Sequence, residues 1–439
     1  MDVIVIGGGI AGMASAYELR RAGHSVCVIE RRATVAQGAS FGHGGGLLPT
    51  PLDAWFGPGL TGLRWRARWS ARLGRPGSLG YRPGLGGSVT GFARRLRRAE
   101  DTEIFAARYR ALQPLVDFSR EVIEEIETAN GLEFEQRHGV LYLLRTTRDL
   151  RHAQAALALL DELEIEHLAL SGPDCAALEP SLPLHQPLAR GVLLRTARSA
   201  NCPQFAKLLK QLLEQDGVRF EMGRAVQALR CDTRGASVEL AAPASGSTPG
   251  ARVTSLTADV IVLAAGTGSL ALLPQPLRAL VHPLRMHALS APLGPEERAP
   301  HITLVDTAQR ITITRFANRI RIAGAALLQG SRQSQQSADP ALRHAALTRL
   351  GQAAHDWIPG AAKLAAATTW DDTRLLSSDG LPVAGATLQP RLFVNLAHGP
   401  GGWALACGSA RVVAQSISGD TSDLPAATLA AISPARLHG

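Results

Sequence analysis

Lysine is almost missing: Lys207, Lys210 and Lys363 are the only three in 439 residues, so the formal net charge of +9 is carried by arginine. Such a balance fits an acidic partner, a membrane surface or an arginine-rich composition, and where the charge clusters says more than its total. Cysteine is scarce as well. Cys27, Cys175, Cys202, Cys231 and Cys407 make an odd count with no CxxC pair, which argues against a zinc site and a disulfide framework and points to a reducing compartment. Aromatic residues are 5% of the chain, and no apolar run approaches the ~20 residues that a membrane span requires. No secretory signal is expected ahead of the first strand, so the expected location is cytoplasmic. What remains is a globular α/β protein, 46% hydrophobic and long enough for two domains and a large core.

The rest of the chain is organised around its opening, MDVIVIGGGIAGMASAYELRRAGHSVCVIERR. Val3 to Ile6 is an uninterrupted apolar run, as expected of a strand buried on both faces, and it leads directly into Gly7, Gly8, Gly9 and Gly12. The Ala-, Leu- and Glu-rich segment Met13 to Arg21 predicts a helix, and Ser25 to Ile29 predicts a second strand ending in Glu30. This is a complete βαβ unit. Gly7 makes the tight turn, Gly9 admits a pyrophosphate to the backbone, and Gly12 lets helix and strand pack closely. Glu30, about 20 residues beyond the glycines, accepts hydrogen bonds from a ribose, so the ligand is an adenine dinucleotide. The motif alone leaves FAD and NAD open.

Downstream, Ser40, Gly42, Gly44, Gly45 and Gly46 form a loop suited to a flat ligand or its phosphate, with an ordinary flexible loop as the alternative. Residues 49 to 99 then change character, with Trp55, Phe56, Trp65, Trp69 and Phe92 among many arginines. Peripheral contact of residues 55–98 with an anionic membrane at the inner face of the cell is one expectation; a solvated cover with inward-packed tryptophans is the other. Nucleic acid is not expected, because no recognition motif accompanies the charge.

A helical stretch from Asp101 to Asn130 is expected to be interrupted at Pro114, with Leu115, Phe118, Val122, Ile123 and Ile126 on one face. Strands are predicted over Phe134 to Leu144, Gly191 to Leu194, Val281 to Ala291, Ile302 to Asp306, Ile311 to Phe316 and Arg319 to Ala323. Helices are predicted over Leu150 to Leu163, Pro203 to Gln215 and Ala341 to Trp357, and residues 243 to 250 read as a solvent loop. Ala258 to Gly268 repeats the opening logic and belongs in its parallel sheet. So does Leu392 to Leu396, followed by the glycine loop His398 to Gly402 and a helix from Trp403 to Ile417. The fold class is therefore α/β, a doubly wound parallel sheet plus an α+β domain with a mainly antiparallel sheet. Residues 1–75, 195–276 and 370–439 are assigned to the nucleotide domain, and 76–194 and 277–369 to the substrate domain.

With these residues assembled, the chain resembles the FAD-dependent amine and amino-acid oxidoreductases of the D-amino-acid oxidase and glycine oxidase superfamily, and within it the bacterial D-amino acid dehydrogenases. The resemblance runs the full length, through GGGIAGMASAYELRRAGHSVCVIERR, HGVLYLLRTTRDL, ANCPQFAKLL, VIVLAAGTGS, SSDGLPVAG and LFVNLAHGPGGWALACGSAR, the last being the most specific. It implies non-covalent FAD. By analogy, Gly7, Gly9, Gly12, Glu30, Arg31 and Ser40 bind the ADP and ribityl parts, and Val226 meets the adenine. Gly266 and the loop of Gly399, Gly401, Gly402 and Trp403 flank the flavin, and Gly44, Gly45, Gly46 and His398 are assigned to cofactor binding as well.

The resemblance also places Arg374 where the substrate carboxylate binds, a role that suits the planar guanidinium fork. An ion pair with Asp371 or Asp372 is the competing role for Arg374. The sequence departs from the family at Trp370-Asp371-Asp372-Thr373-Arg374-Leu375, where W-x-G-x-R-P is usual. Met286-His287-Ala288 replaces GYS, making His287 a candidate substrate-facing donor, and Ala200-Asn201 replaces the Gly-Asp before Cys202. The implied activity is oxidative deamination of amino acids, D-amino acids foremost, to keto acid and ammonia. Hydride passes from Cα to flavin N5 and electrons go on to a quinone or respiratory carrier. The alternatives are an oxygen-using oxidase of secondary amino acids or glycine, and a flavin-binding subunit of a hetero-oligomer.

Overall fold

The computed structural model describes residues 1–47, 50–53, 79–81, 101–241, 254–328 and 340–438. The basic aromatic stretch 55–98, apart from the strand Leu79–Tyr81, and the loop 243–250 lie outside the described residues.

The opening segment folds as its pattern dictates, into strand Asp2–Ile6, helix Ile10–Arg21 and strand Ser25–Glu30. These strands sit inside a sheet ordered Val383–Ala386, Leu392–Leu396, Val260–Leu263, Asp2–Ile6, Ser25–Glu30, Arg219–Met222. Every neighbour is parallel except the edge strand Val383–Ala386. The apolar run at 3–6 is continuous because both faces are covered. Val3 and Val5 enter one core with Met13, Leu19 and Val413, whereas Ile4 and Ile6 enter another with Val238 and Leu240 of a small antiparallel sheet.

A larger, mainly antiparallel sheet runs in the order Thr368–Ser377, Val281–Pro292, Arg319–Leu328, Ile311–Phe316, Thr303–Asp306, Arg137–Leu144, Arg190–Ser199, Leu168–Leu170. Its one parallel step along this path joins Thr303–Asp306 to Arg137–Leu144. Helix Pro340–Trp357 closes one face, burying Leu350, Ala353 and Trp357 against Ile313, Ile320 and Ile322.

Helix Thr102–Asn130 differs from expectation in running unbroken through Pro114. Proline costs about 3 kcal/mol inside a helix, and each fully buried aliphatic side chain returns about 1.5–3 kcal/mol. Leu115, Val122, Ile123 and Ile126 are all buried on one face, so burial wins. Asp101 caps the start by accepting from the backbone N–H groups of Glu103 and Ile104, and Gly131 ends the helix at φ 58.

Two elements lie across the expected domain division. The strand Thr368–Ser377 pairs along its length with Val281–Pro292, so the chain leaves the larger sheet after Ser377 and reaches the parallel one only at Val383. The helix Thr102–Asn130 packs on helix Ala406–Ser418, where a Cβ at Gly408 would stand 2.7 Å from that of Ser119. The two sheets thus adjoin at the Thr368–Ser377 strand. No helix among the described residues is long and apolar enough to cross a membrane.

Candidate active site

The glycine turn is built by close approach. Gly7 has φ 115, and a Cβ there would lie 2.6 Å from the Ala264 carbonyl; a Cβ at Gly12 would lie 1.8 Å from the Gly7 carbonyl oxygen. No substitution fits either position without moving backbone. Helix Ile10–Arg21 begins at Gly9 with no acid in its first turn, so its positive end is free for an anion. Ser40 Oγ accepts from the Ile10 N–H at 3.0 Å, and Glu30 accepts from Gly8 N–H at 2.6 Å and Arg32 N–H at 2.8 Å. These bonds pin the far loop and the second strand's end around the turn.

A cavity of about 320 Å³ runs from this turn across the carboxyl ends of the parallel strands. Its lining brings together Gly7, Gly9, Glu30, Arg31, Ser40, Val226, Gly266, His398, Gly399, Gly402, Trp403 and Arg374. Gly12 lies behind the turn and packs helix on strand. At the far end a buried chain of bonds holds the wall. Asn395 Nδ2 donates to Ser15 Oγ at 3.0 Å, Ser409 Oγ donates to Asn395 Oδ1 at 2.9 Å, and His398 Nε2 meets Ser409 Oγ at 2.9 Å. Burial pushes the His398 imidazole down to about 4, so it is neutral at neutral pH. The helix after the glycine loop begins at Ala406, three residues later than expected, because a tight turn at Gly399–Gly401 and the buried Trp403 precede it. Cys407 lies in the core and does not line the cavity.

Two buried donors on this cavity have no acceptor among the described residues, Trp403 Nε1 and Arg374 Nε. Leaving such groups unpaired costs about 1–3 kcal/mol each, more for a charge. A polar, anionic dinucleotide with its substrate fits that deficit. The glycine cradle, the acid-free helix end and Glu30 suit its ADP half. FAD is therefore compatible with the residues present.

Arg374 is buried, and burial pushes its guanidinium down to about 10. Its only hydrogen bond among the described residues is a long one, Nη2 to the Ala39 carbonyl at 3.4 Å. The neighbouring acids are engaged elsewhere. Asp371 pairs with Arg285 at 2.5 Å and Arg343 at 3.1 Å, and Asp372 with Arg32 at 2.9 Å. Among the described residues no carboxylate bonds to Arg374.

A second cavity of about 110 Å³ shares His43 and Arg374 with the first and opens over the larger sheet. Gly44, Gly46 and Gly401 line it, together with Met286, Thr312, Tyr142, Asp53 and Arg310. Gly45 lines neither cavity; at φ 102 its N–H donates to His43 Nδ1 at 3.0 Å. The expectation of a substrate-facing His287 differs from its placement. His287 lines neither cavity, bonds the Ala325 carbonyl through Nδ1 at 2.9 Å, and shares the strand face of Leu289, which packs under helix Pro340–Trp357. Strand alternation turns Met286 to the cavity instead. Asp53, Tyr142 and Arg310 carry no motif signal and were not foreseeable.

The comparisons agree with this geometry. The family model described as FAD dependent oxidoreductase matches residues 2–416. A D-amino acid dehydrogenase of Cereibacter sphaeroides is 32% identical over 436 residues, covering 98% of this chain and 94% of that protein. Among solved structures, glycine oxidase from Geobacillus kaustophilus superposes with a TM-score of 0.67 at 19% identity, covering 98% and 97% of the two chains. L-proline dehydrogenase from P. horikoshii gives 0.66 at 14% identity, covering 99% and 97%. With the family model matching residues 2–416 of the chain and the glycine-built cavity in place, the chain belongs to the FAD dependent oxidoreductase (DAO) family and is an FAD-dependent oxidoreductase.

Proposed function

We propose that the chain oxidises the Cα–N bond of α-amino acids, D-amino acids foremost, to imines that hydrolyse to keto acid and ammonia. The observation that carries this is Arg374: a buried guanidinium with no carboxylate bonded to it and an open Nε among the described residues, standing where the two cavities meet. A substrate carboxylate supplies the missing counter-charge, and a bidentate pair fixes the rest of the molecule relative to the first cavity. Gly7, Gly9, Glu30, Arg31, Ser40 and Val226 hold the ADP half of FAD, while Gly266 and the His398 to Trp403 turn wall the flavin half. Bound FAD supplies the two-electron acceptor. Asp371 and Asp372 support the site indirectly: their ion pairs with Arg285, Arg343 and Arg32 hold the strand that carries Arg374. The name of the Cereibacter relative favours D-amino acids as donors.

Electrons then pass to a quinone or respiratory carrier. The aromatic and arginine-rich sequence 55–98 supports contact with an anionic membrane face, where such carriers reside.

The test is anaerobic bleaching of the flavin band at roughly 450 nm by D-amino acids, L-amino acids, proline analogues and N-methyl amino acids. Rapid bleaching by D-amino acids supports the reading; bleaching by secondary amines alone replaces it. Peroxide formation in air, set against reduction of a soluble quinone, decides the acceptor.

A further inference from the structure

Strand Thr368–Ser377 does more than carry Arg374. Asp372, Thr373, Arg374 and Leu375 all line the first cavity, so this edge strand of the larger sheet runs along a cofactor site whose other walls come from the parallel sheet and its loops. A second stretch of the lining leaves strand Ser25–Glu30 and returns through residues 36–40 to the glycine turn. There the Ala36 N–H donates to the Gly8 carbonyl at 2.8 Å, and Ser40 Oγ accepts from the Ile10 N–H at 3.0 Å. The two stretches belong to different sheets and meet at the cavity.

One ion pair joins them. Arg32 Nη2 lies 2.9 Å from Asp372 Oδ2, and each residue is also tied to its own side: Arg32 Nη1 donates to the Gln37 carbonyl, and Asp372 Oδ1 accepts from the Thr373 N–H at 2.7 Å. The loop backbone passes close over the carboxylate, where a Cβ at Gly38 would stand 3.3 Å from Asp372 Oδ2. One residue on, the Ala39 carbonyl accepts from Arg374. The Arg32 and Asp372 side chains are 35% and 14% exposed while both residues line the cavity, so the pair stands at its rim. Asp372 needs an account of its own. A carboxylate lining a site for a diphosphate repels that ligand, and a guanidinium engaged by the carboxylate is withheld from the phosphates. Direct electrostatics toward the cofactor favours neither arrangement.

We infer that Arg32 and Asp372 form a clasp at the rim of the cofactor cavity: the pair fastens loop 36–40 to strand Thr368–Ser377 and slows the departure of FAD. Asp372 is a positioning residue, acting on the cofactor through Arg32 and the loop. A partly exposed ion pair is worth only a few-fold in a rate, so the effect is modest and its sign carries the argument. The inference depends on FAD binding alone and stands whichever amine is oxidised.

The test follows release of FAD from the full-length holoprotein, read as recovery of flavin fluorescence after dilution. It compares the parent with Asp372→Asn, Arg32→Gln, the double variant, and the charge swap that combines Arg32→Asp with Asp372→Arg. Removing a negative charge beside an anionic ligand would, acting alone, slow release; opening a clasp speeds it. Asp372→Asn is therefore expected to release FAD roughly 2–5-fold faster than the parent at low salt, the difference fading as salt approaches about 1 M. Arg32→Gln should add nothing once Asp372 is gone, and the charge swap should regain most of the parent rate. Slower or unaltered release from folded Asp372→Asn overturns the inference, as does a double variant in which the two single effects multiply, or a folded swap that rescues nothing. Asp372→Ser repeats the decisive comparison should the asparagine variant not fold. None of these outcomes bears on amino-acid oxidation, which flavin bleaching tests by itself.

Discussion

The two cavities that meet at Arg374 are made of different material. The first is walled largely by backbone and small residues: Gly7, Gly9, Ala36 to Ser40, Ala264 to Gly268, Ala397 to Gly399. The second is walled by side chains raised from strands far apart in the chain, among them Tyr142, Met286, Thr303, Val305, Thr312 and Arg374. A backbone wall recognises what all dinucleotides share, phosphate charge and a flat ring. A side-chain wall recognises what distinguishes one substrate from another. The first tolerates almost no change at its glycines, whereas the second can be rewritten one side chain at a time.

Gly12→Ala is the harshest test of the backbone wall. With its Cβ placed 1.8 Å from the Gly7 carbonyl oxygen, the variant is expected to lose bound FAD altogether, read as absence of flavin absorbance in the purified protein. Its control is Gly351→Ala, in helix Pro340–Trp357 with nothing within 4 Å of the new Cβ, which should keep full flavin and gain about 0.5–1 kcal/mol. If Gly12→Ala retains flavin, the contrast between the walls collapses.

Arg374→Ala should act on the substrate side. The expected loss is roughly 10²–10³-fold in kcat/KM with flavin content unaltered, and Arg374→Lys should recover only part, because an ammonium cannot form the fork. Equal damage to flavin content would mean that the residue belongs to the cofactor wall alone.

A smaller effect concerns stability. Asp53 is held near 6 instead of its usual 3.8 because burial disfavours the charge. Its native form takes up a proton more readily than its unfolded form, so this group contributes stability as pH falls from about 6 toward 4 and opposes folding above 6. The cost at pH 8 is on the order of 3 kcal/mol at most. Asp53→Asn keeps an acceptor for Tyr142, so its melting temperature should exceed the parent's at pH 8 and converge with it near pH 4. A gap that widens on acidification would contradict the burial argument.

Ser409→Ala, which removes the hydroxyl linking His398 to Asn395, should have the mildest consequence, about 1–3 kcal/mol of stability with flavin retained. Denaturant titration reads it. Loss of flavin instead would show that this buried chain of bonds sets the cofactor wall and not merely the core.

Much of the fold was legible because its signals are local. The opening strand, helix and strand appear within a residue or a few of their expected limits, since an apolar run, a glycine turn and an Ala-rich helix each act over a few consecutive residues. Pro114 misled because a local helix penalty is outweighed by a nonlocal apolar face. His287 misled for a related reason: which of two adjacent strand residues faces a cavity depends on the partner strands and on the irregularity between Arg285 and His287 opposite Gly324. Asp53 had no motif to betray it. Its isolation in sequence is unremarkable, and its bond to Tyr142 joins residues 89 positions apart.

The amino-acid sequence by itself determined the dinucleotide cradle. Hard-sphere sterics at consecutive residues allow only glycine where a Cβ would strike the backbone, so the cradle is written in one short stretch. The substrate cavity was decided by the tertiary structure alone. Arg374, Met286 and Tyr142 line one cavity, with Asp53 beside Tyr142, only when strands separated by up to hundreds of residues pair in one register, and that pairing is fixed by the energy of the whole sheet.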